Sequence, residues 1–134
     1  VIINCYNGEK YLHDALKSVL DQTYKNWEII FWDNKSSDKS KEIFKSYKDK
    51  RFKYFYSKKL NSLYKARNLA IKKAKGKYLS FLDTDDLWTE NKLELQMPYF
   101  KNPKVGFVAG ASPLIHSDSL LNNFFQKLVL MVYQ

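Results

Sequence analysis

The chain has 134 residues and a mass of 15.9 kDa, with 45% apolar and 16% aromatic residues, which is enough for one packed domain and too apolar for a disordered segment. Its net charge of +9 comes from 23 basic against 14 acidic residues, yet the lysines are scattered and only Arg51 and Arg67 are arginines, so dedicated nucleic-acid binding is set aside. A lone cysteine, Cys5, excludes an internal disulfide framework and any multi-cysteine zinc site, and no run reaches the roughly 20 apolar residues that span a bilayer.

Elements follow from hydrophobic period and turn chemistry. Val1 to Ile3 reads as a first strand, ending at the polar turn Asn4-Cys5-Tyr6-Asn7-Gly8. Leu12, Ala15, Leu16, Val19 and Leu20 then share one helix face. Trp27 to Trp32 reads as a second strand, stopped by Asp33-Asn34-Lys35-Ser36-Ser37-Asp38, a cluster suited to capping a helix that carries Ile43, Phe44 and Tyr47. Phe52 to Tyr56 follows as a third strand. A helix from about Ser62 to Lys75 buries Ala66, Leu69, Ala70 and Ala74 and stops at Gly76. Tyr78 to Leu82 is a strand running into Asp83-Thr84-Asp85-Asp86. Thr89 caps a helix through Leu93 and Met97 that breaks near Pro98, and Val105 to Ala109 is a further strand. Leu121, Phe124, Phe125 and Leu128 point to one more helix. Alternating short strands and amphipathic helices define an α/β chain with a mostly parallel sheet. No secretory leader is read at Val1, and the chain reads as a piece of something longer, cytoplasmic or at the cytoplasmic face of a membrane.

Three polar clusters follow strands: Asn4 to Gly8, Asp33 to Asp38 and Asp83 to Asp86. Ligands of open α/β sheets sit beyond the carboxyl ends of strands, so parallel neighbours would gather these clusters on one rim. In extended chain Asp83 and Asp85 project to the same side, and two such carboxylates repel unless a cation lies between them. A hard divalent ion accepts one or two carboxylates together with substrate phosphates. The plainer reading of Asp-Thr-Asp-Asp is a solvated turn ahead of the next helix.

Together the segments resemble the family 2 glycosyltransferases of the GT-A fold. The resemblance is carried by Val1 to Asn7, Tyr11-Leu12, Ser18 to Tyr24, Trp27 to Ile30, Asp33 to Asp38, Ala66-Arg67-Asn68 and Gly76 to Trp88, in order over about the first hundred residues. It implies a GT-A core over residues 1–110, with residues 111–134 as the start of an acceptor-side region or a truncated tail. It also implies a nucleotide-diphospho-sugar donor, bound Mn²⁺ or Mg²⁺, a glycan or lipid-linked acceptor with room for peripheral membrane contact, and inversion at the anomeric carbon.

By that resemblance Tyr6 stacks or packs against the base, against the alternative of core packing. Asn34 stands where many members place an Asp that bonds the base edge; its alternative is a turn former. Asn4 replaces a frequent Pro. Arg67 approaches the donor phosphates, or else pairs with a surface carboxylate. Asp83 lies near the ribose and metal, and Asp85 is the principal metal ligand. His13, His116 and Cys5 read as structural. No catalytic base is assigned: Asp118 comes too soon after Asp85 to inherit that role. A nucleotidyltransferase would show a Gly-, Arg- and Lys-rich loop where Asn4 to Gly8 stands, and a non-catalytic nucleotide-binding module is the remaining alternative.

Overall fold

The computed structural model describes residues 1–110 and 129–133. Strands β1 (Ile2–Cys5), β2 (Ile29–Asp33), β3 (Phe52–Tyr56) and β4 (Tyr78–Asp83) alternate with helices α1 (Leu12–Leu20), α2 (Ser40–Ser46) and α3 (Leu63–Ile71). Then come α4 (Lys92–Gln96), a short 3-10 helix (Met97–Lys101), β5 (Phe107–Gly110) and β6 (Val129–Tyr133). The sheet order is β3-β2-β1-β4-β6-β5. β1, β2, β3 and β4 run parallel, whereas β6 is antiparallel to both β4 and β5.

Burial on both faces explains the near-continuous apolar strands. Ile3, Cys5, Ile29, Phe31 and Leu82 pack with Leu12, Ala15, Leu16 and Val19 of α1 and Phe44 of α2. On the other face Ile2, Ile30, Trp32 and Leu79 meet Ala66 and Ala70 of α3. The small side chains of α3 let that helix lie close on β1 and β2.

Several expected boundaries shift. α3 starts where expected, with the Ser62 hydroxyl accepting from the Lys65 amide, but closes at Ile71 and leaves Ala74 in the following turn. The Thr89 side chain does not cap α4; Asn91 holds the N-cap position, and Thr89 contributes its backbone carbonyl to the Lys92 amide at 3.1 Å. The apolar run ending at Tyr133 supplies β6, a strand that local periodicity did not reveal. The helix expected around Leu121 to Leu128 lies outside the described residues. Among the described residues no helix is long and apolar enough to cross a membrane.

Gln22 explains why the turn after α1 is so constrained. It is fully buried; its side-chain amide donates through Nε2 to the carbonyls of Ser18 at 3.0 Å and Thr89 at 2.7 Å, and its Oε1 accepts from the Leu93 amide at 3.0 Å. One side chain thereby ties α1 to the segment leading out of β4. Gln22→Ala leaves the buried Leu93 amide unmet and takes a donor from the carbonyls of Ser18 and Thr89, and a loss of about 2–4 kcal/mol in urea denaturation is expected.

Lys92 is a second polar anchor, half-buried. Its ammonium reaches Gln96 Oε1 at 3.0 Å and Ser80 Oγ at 3.4 Å and lies 3.9 Å from the centre of the Trp88 ring. Burial lowers its pKa from 10.5 to about 8. Because the folded state binds this proton less tightly than the unfolded chain, the penalty is complete below about 8 and fades as pH rises toward 10.5. Over that window this group adds about 3 kcal/mol of stability. Urea titrations from pH 7 to 10.5 should show the rise, and Lys92→Met should flatten it.

Candidate functional site

The sheet reverses its winding between β1 and β4, because β2 and β3 add to one side of β1 and β4 to the other. Such a switch point opens a crevice at the carboxyl ends of the strands. Register places Cys5 beside Asp33 and Asn4 beside Asp83, so the three polar clusters do meet on one rim.

The first two loops are stitched together before any ligand arrives. The amides of Asn7 and Gly8 donate to the hydroxyls of Ser36 and Ser40 at 3.0 and 2.9 Å. Asn7 Oδ1 accepts from the Ser37 amide at 2.8 Å, while Asp38 accepts from the amides of Glu9 and Ser40. Burial alone would raise the pKa of Asp38, but the Ser40 hydroxyl and the Glu9 and Ser40 amides outweigh it and hold the carboxyl below its ordinary value. Asn7 and Lys35 adopt left-handed backbone, φ 53° and 71°, a cost that this bonding offsets. Below them Asp33, 1% exposed, accepts from the Ser36 amide at 2.7 Å and the Tyr54 hydroxyl at 2.6 Å. Burial, then the Asp33 bond, pushes the Tyr54 phenol well above its ordinary value.

β4 ends at Asp83, and the Asp83 carbonyl accepts from the Asp86 amide at 3.1 Å, closing a turn over Thr84 and Asp85. The extended geometry expected for the two carboxylates therefore stops at Asp83; a turn presents Asp85 instead. Gly8 lies against this turn: a Cβ there would stand 2.9 Å from Cys5 Sγ and 3.2 Å from Thr84 Cβ. The first loop and the acidic turn are thus in direct contact, and a side chain at residue 8 would force them apart.

Arg67 projects from α3 and donates to Asp83 Oδ1 at 2.7 Å. The carboxylate that Arg67 meets belongs to the acidic turn itself. Asp85 is exposed, and no partner for its carboxylate occurs among the described residues. Two oxygen-donor side chains one residue apart suit a hard divalent ion that completes its shell from water and a diphosphate. Among the described residues no three His, Cys, Asp or Glu side chains cluster as a closed metal site. The donor set therefore fits an ion shared with a phosphate-bearing ligand.

Beside this turn a cleft of about 260 Å³ is lined by Asn4, Cys5, Tyr6, Asn34, Leu60, Asn61, Leu63 and Ala66. Tyr6 is 55% exposed, which removes the core-packing alternative. Asn4 Nδ2 is buried with no hydrogen-bond partner, an orphan that a filled cleft would explain. Asn34 is buried and exchanges hydrogen bonds with Asn61, a residue that sequence reasoning missed. A larger cavity of about 480 Å³ lies at the opposite, amino ends of the strands, near Val1, Glu28 and Tyr78, away from the acidic turn. Cys5 is buried and its thiol pKa is raised, first by burial, which agrees with a packing role. His13 sits beside Asp14 and Tyr47 on the surface, and His116 and Asp118 fall outside the described residues.

Comparison with known proteins adds four likenesses. The family "Glycosyl transferase family 2" matches residues 1–128. The UDP-Glc:alpha-D-GlcNAc-diphosphoundecaprenol beta-1,3-glucosyltransferase of Escherichia coli is 35% identical over 124 residues, covering 92% of this chain and 49% of that protein. The chain thus spans about half the length of this curated relative. The crystal structure of S. aureus TarS in complex with UDP-GlcNAc superposes with a TM-score of 0.80 at 23% identity, covering 94% of this chain and 37% of that one. A mannosyltransferase from Pyrobaculum calidifontis in complex with GDP-Man and Mn²⁺ gives 0.72 at 21% identity, covering 79% and 33%. Both are likenesses of fold.

Proposed function

Because the chain belongs to glycosyl transferase family 2, we propose that it forms the donor-binding part of an enzyme that moves a sugar from a nucleotide-diphospho-sugar to an acceptor hydroxyl. The observation that carries this reading is the acidic turn of Asp83 and Asp85 at the sheet's switch point, beside a cleft with Tyr6 exposed at its edge. Residues 1–110 carry the donor core, and residues 111–134 begin the acceptor side.

In this reading Tyr6 offers its exposed ring to the base, with Asn4 and Asn34 as the polar floor of the cleft. Asp83 lies toward the ribose, and Asp83 and Asp85 would hold Mn²⁺ or Mg²⁺. When bound, such an ion supplies Lewis-acid stabilisation of the departing diphosphate. Arg67 holds one oxygen of Asp83 and so sets that carboxylate's direction, while bringing a fixed positive charge to the diphosphate side of the turn. The acceptor hydroxyl attacks the anomeric carbon opposite the leaving diphosphate, which inverts that centre.

The Escherichia coli relative, named for UDP-Glc and a diphosphoundecaprenol acceptor, supports a UDP-sugar donor and a lipid-linked acceptor. In this reading the enzyme meets its lipid-linked acceptor at the cytoplasmic face of a membrane. The test is thermal unfolding with UDP-glucose. Saturation at a hundred times Kd should stabilise the chain by about 2.7 kcal/mol when Mn²⁺ is present. Equal protection in EDTA would point to a nucleotide-binding module that uses no metal.

A further inference from the structure

The positive charge of the chain is concentrated in one stretch. From Arg51 to Leu82, which covers β3, α3 and all of β4 but its last residue, there are ten basic residues and no Asp or Glu. The rest of the chain carries 13 basic and 14 acidic residues, so this stretch accounts for the whole net charge of +9.

Local structure puts its lysines outside. α3 turns Ala66 and Ala70 onto the sheet, which leaves Tyr64, Lys65, Asn68 and Lys72 along its outer side. Lys58 and Lys59 before the helix and Lys73 and Lys75 after it are exposed as well. Among the described residues no carboxylate pairs with Lys58, Lys59, Lys65, Lys72 or Lys73. The two arginines of the stretch are already engaged, Arg51 by Asp49 and Arg67 by Asp83.

Apolar side chains stand among these free cations. Leu60, Leu63 and Tyr64 are exposed, Tyr64 at 80%. By contrast, Leu87 and Leu95, exposed beyond β4, sit next to Asp86 and Glu94, which an anionic partner would repel. A nucleic acid gains nothing from exposed leucines and is read most closely by arginine forks. An anionic bilayer uses both parts: lysines reach its headgroup phosphates while leucine and tyrosine enter the interface.

We propose that this face, the outer side of α3 with the loop before it, docks the chain on an anionic lipid surface. The inference rests on the lipid-linked acceptor of the proposed function and deepens it by naming where the membrane meets the fold. Leu60 and Leu63 also line the donor cleft together with Tyr6. Docking here therefore brings the mouth of that cleft to the headgroup layer, where a lipid-linked acceptor carries its polar end.

The experiment is co-sedimentation of the chain with two kinds of vesicle, at low and high salt. One is phosphatidylcholine alone, and the other contains about a third phosphatidylglycerol. Wild type should bind only the anionic vesicles, and high salt should release it. One lysine at such a surface strengthens binding by about fivefold, so Lys65→Gln, Lys72→Gln and Lys73→Gln combined should weaken it by about a hundredfold. Tyr64→Ser should weaken it severalfold. Thermal melts confirm that both variants fold, and calorimetry with UDP and Mn²⁺ should return the wild-type affinity for each. Equal binding to neutral vesicles, or a triple variant that binds as wild type does, overturns the proposal. Tighter binding to duplex RNA than to the anionic vesicles at the same salt also overturns it and marks the face as a nucleic-acid surface. Absence of UDP binding in wild type, with anionic vesicles still bound, removes the donor reading and leaves this surface standing.

Discussion

Asp85→Ala should remove the metal-dependent part of nucleotide binding while leaving the fold intact. Asp85 is exposed on the turn after β4 and has no partner among the described residues, so nothing in the fold needs its carboxylate. Exposed positions of this kind change stability by no more than about 0.5 kcal/mol. A hard cation shared with a diphosphate, by contrast, depends on each of its few anionic ligands. Loss of one of two carboxylates should weaken UDP binding in Mn²⁺ by about a hundredfold, the scale of one lost hydrogen bond to a charged group. In EDTA the variant and wild type should bind UDP equally. Asp83→Ala would be a poorer probe, because it also breaks the 2.7 Å pair with Arg67 and so mixes metal loss with rearrangement of α3.

The second large effect is structural. Asp33→Ala should destabilise the chain by about 3–5 kcal/mol, since removing one member of a buried charged network leaves its partners unmet. Those partners are the Ser36 amide and the Tyr54 hydroxyl, held at 2.7 and 2.6 Å by a carboxylate that is 1% exposed. The loop carrying left-handed Lys35 hangs from the first of these bonds, so the rim should loosen before the sheet does. Asp33→Asn keeps the shape and one acceptor and should lose about half as much. Urea denaturation of the three proteins decides it, and a loss below about 1 kcal/mol for Asp33→Ala would show that the network carries little weight.

Much of this architecture was readable in the chain because it is local. Leu12, Ala15, Leu16 and Val19 mark the buried face of α1 by period alone, and Phe52 to Tyr56 has the bounds of β3. The convergence of the three polar clusters followed from parallel strands and the position of each cluster at a strand end. What could not be read depends on partners far along the chain. Asn61 looks like an ordinary residue ahead of a helix cap; its meaning comes from Asn34, 27 positions earlier. Asp33 reads as one more turn residue until Tyr54 closes on it from β3. Arg67 could have met any anion, and the fold delivers Asp83. β6 escaped for the same reason: five apolar residues fit a core helix as well as a strand, and only pairing with β4 and β5 decides between them.

The central claim is that Asp83 and Asp85 grip a divalent ion together with the nucleotide diphosphate. Paramagnetic broadening of backbone amide signals by substoichiometric Mn²⁺, recorded with and without UDP, tests it most directly. With UDP present, the amides of Asp83 to Asp86 and of Asn4 to Gly8 should vanish first, and without UDP the same loss should need far more Mn²⁺. Broadening spread evenly over surface carboxylates such as Asp14, Glu42 and Glu94, unchanged by UDP, would contradict the account.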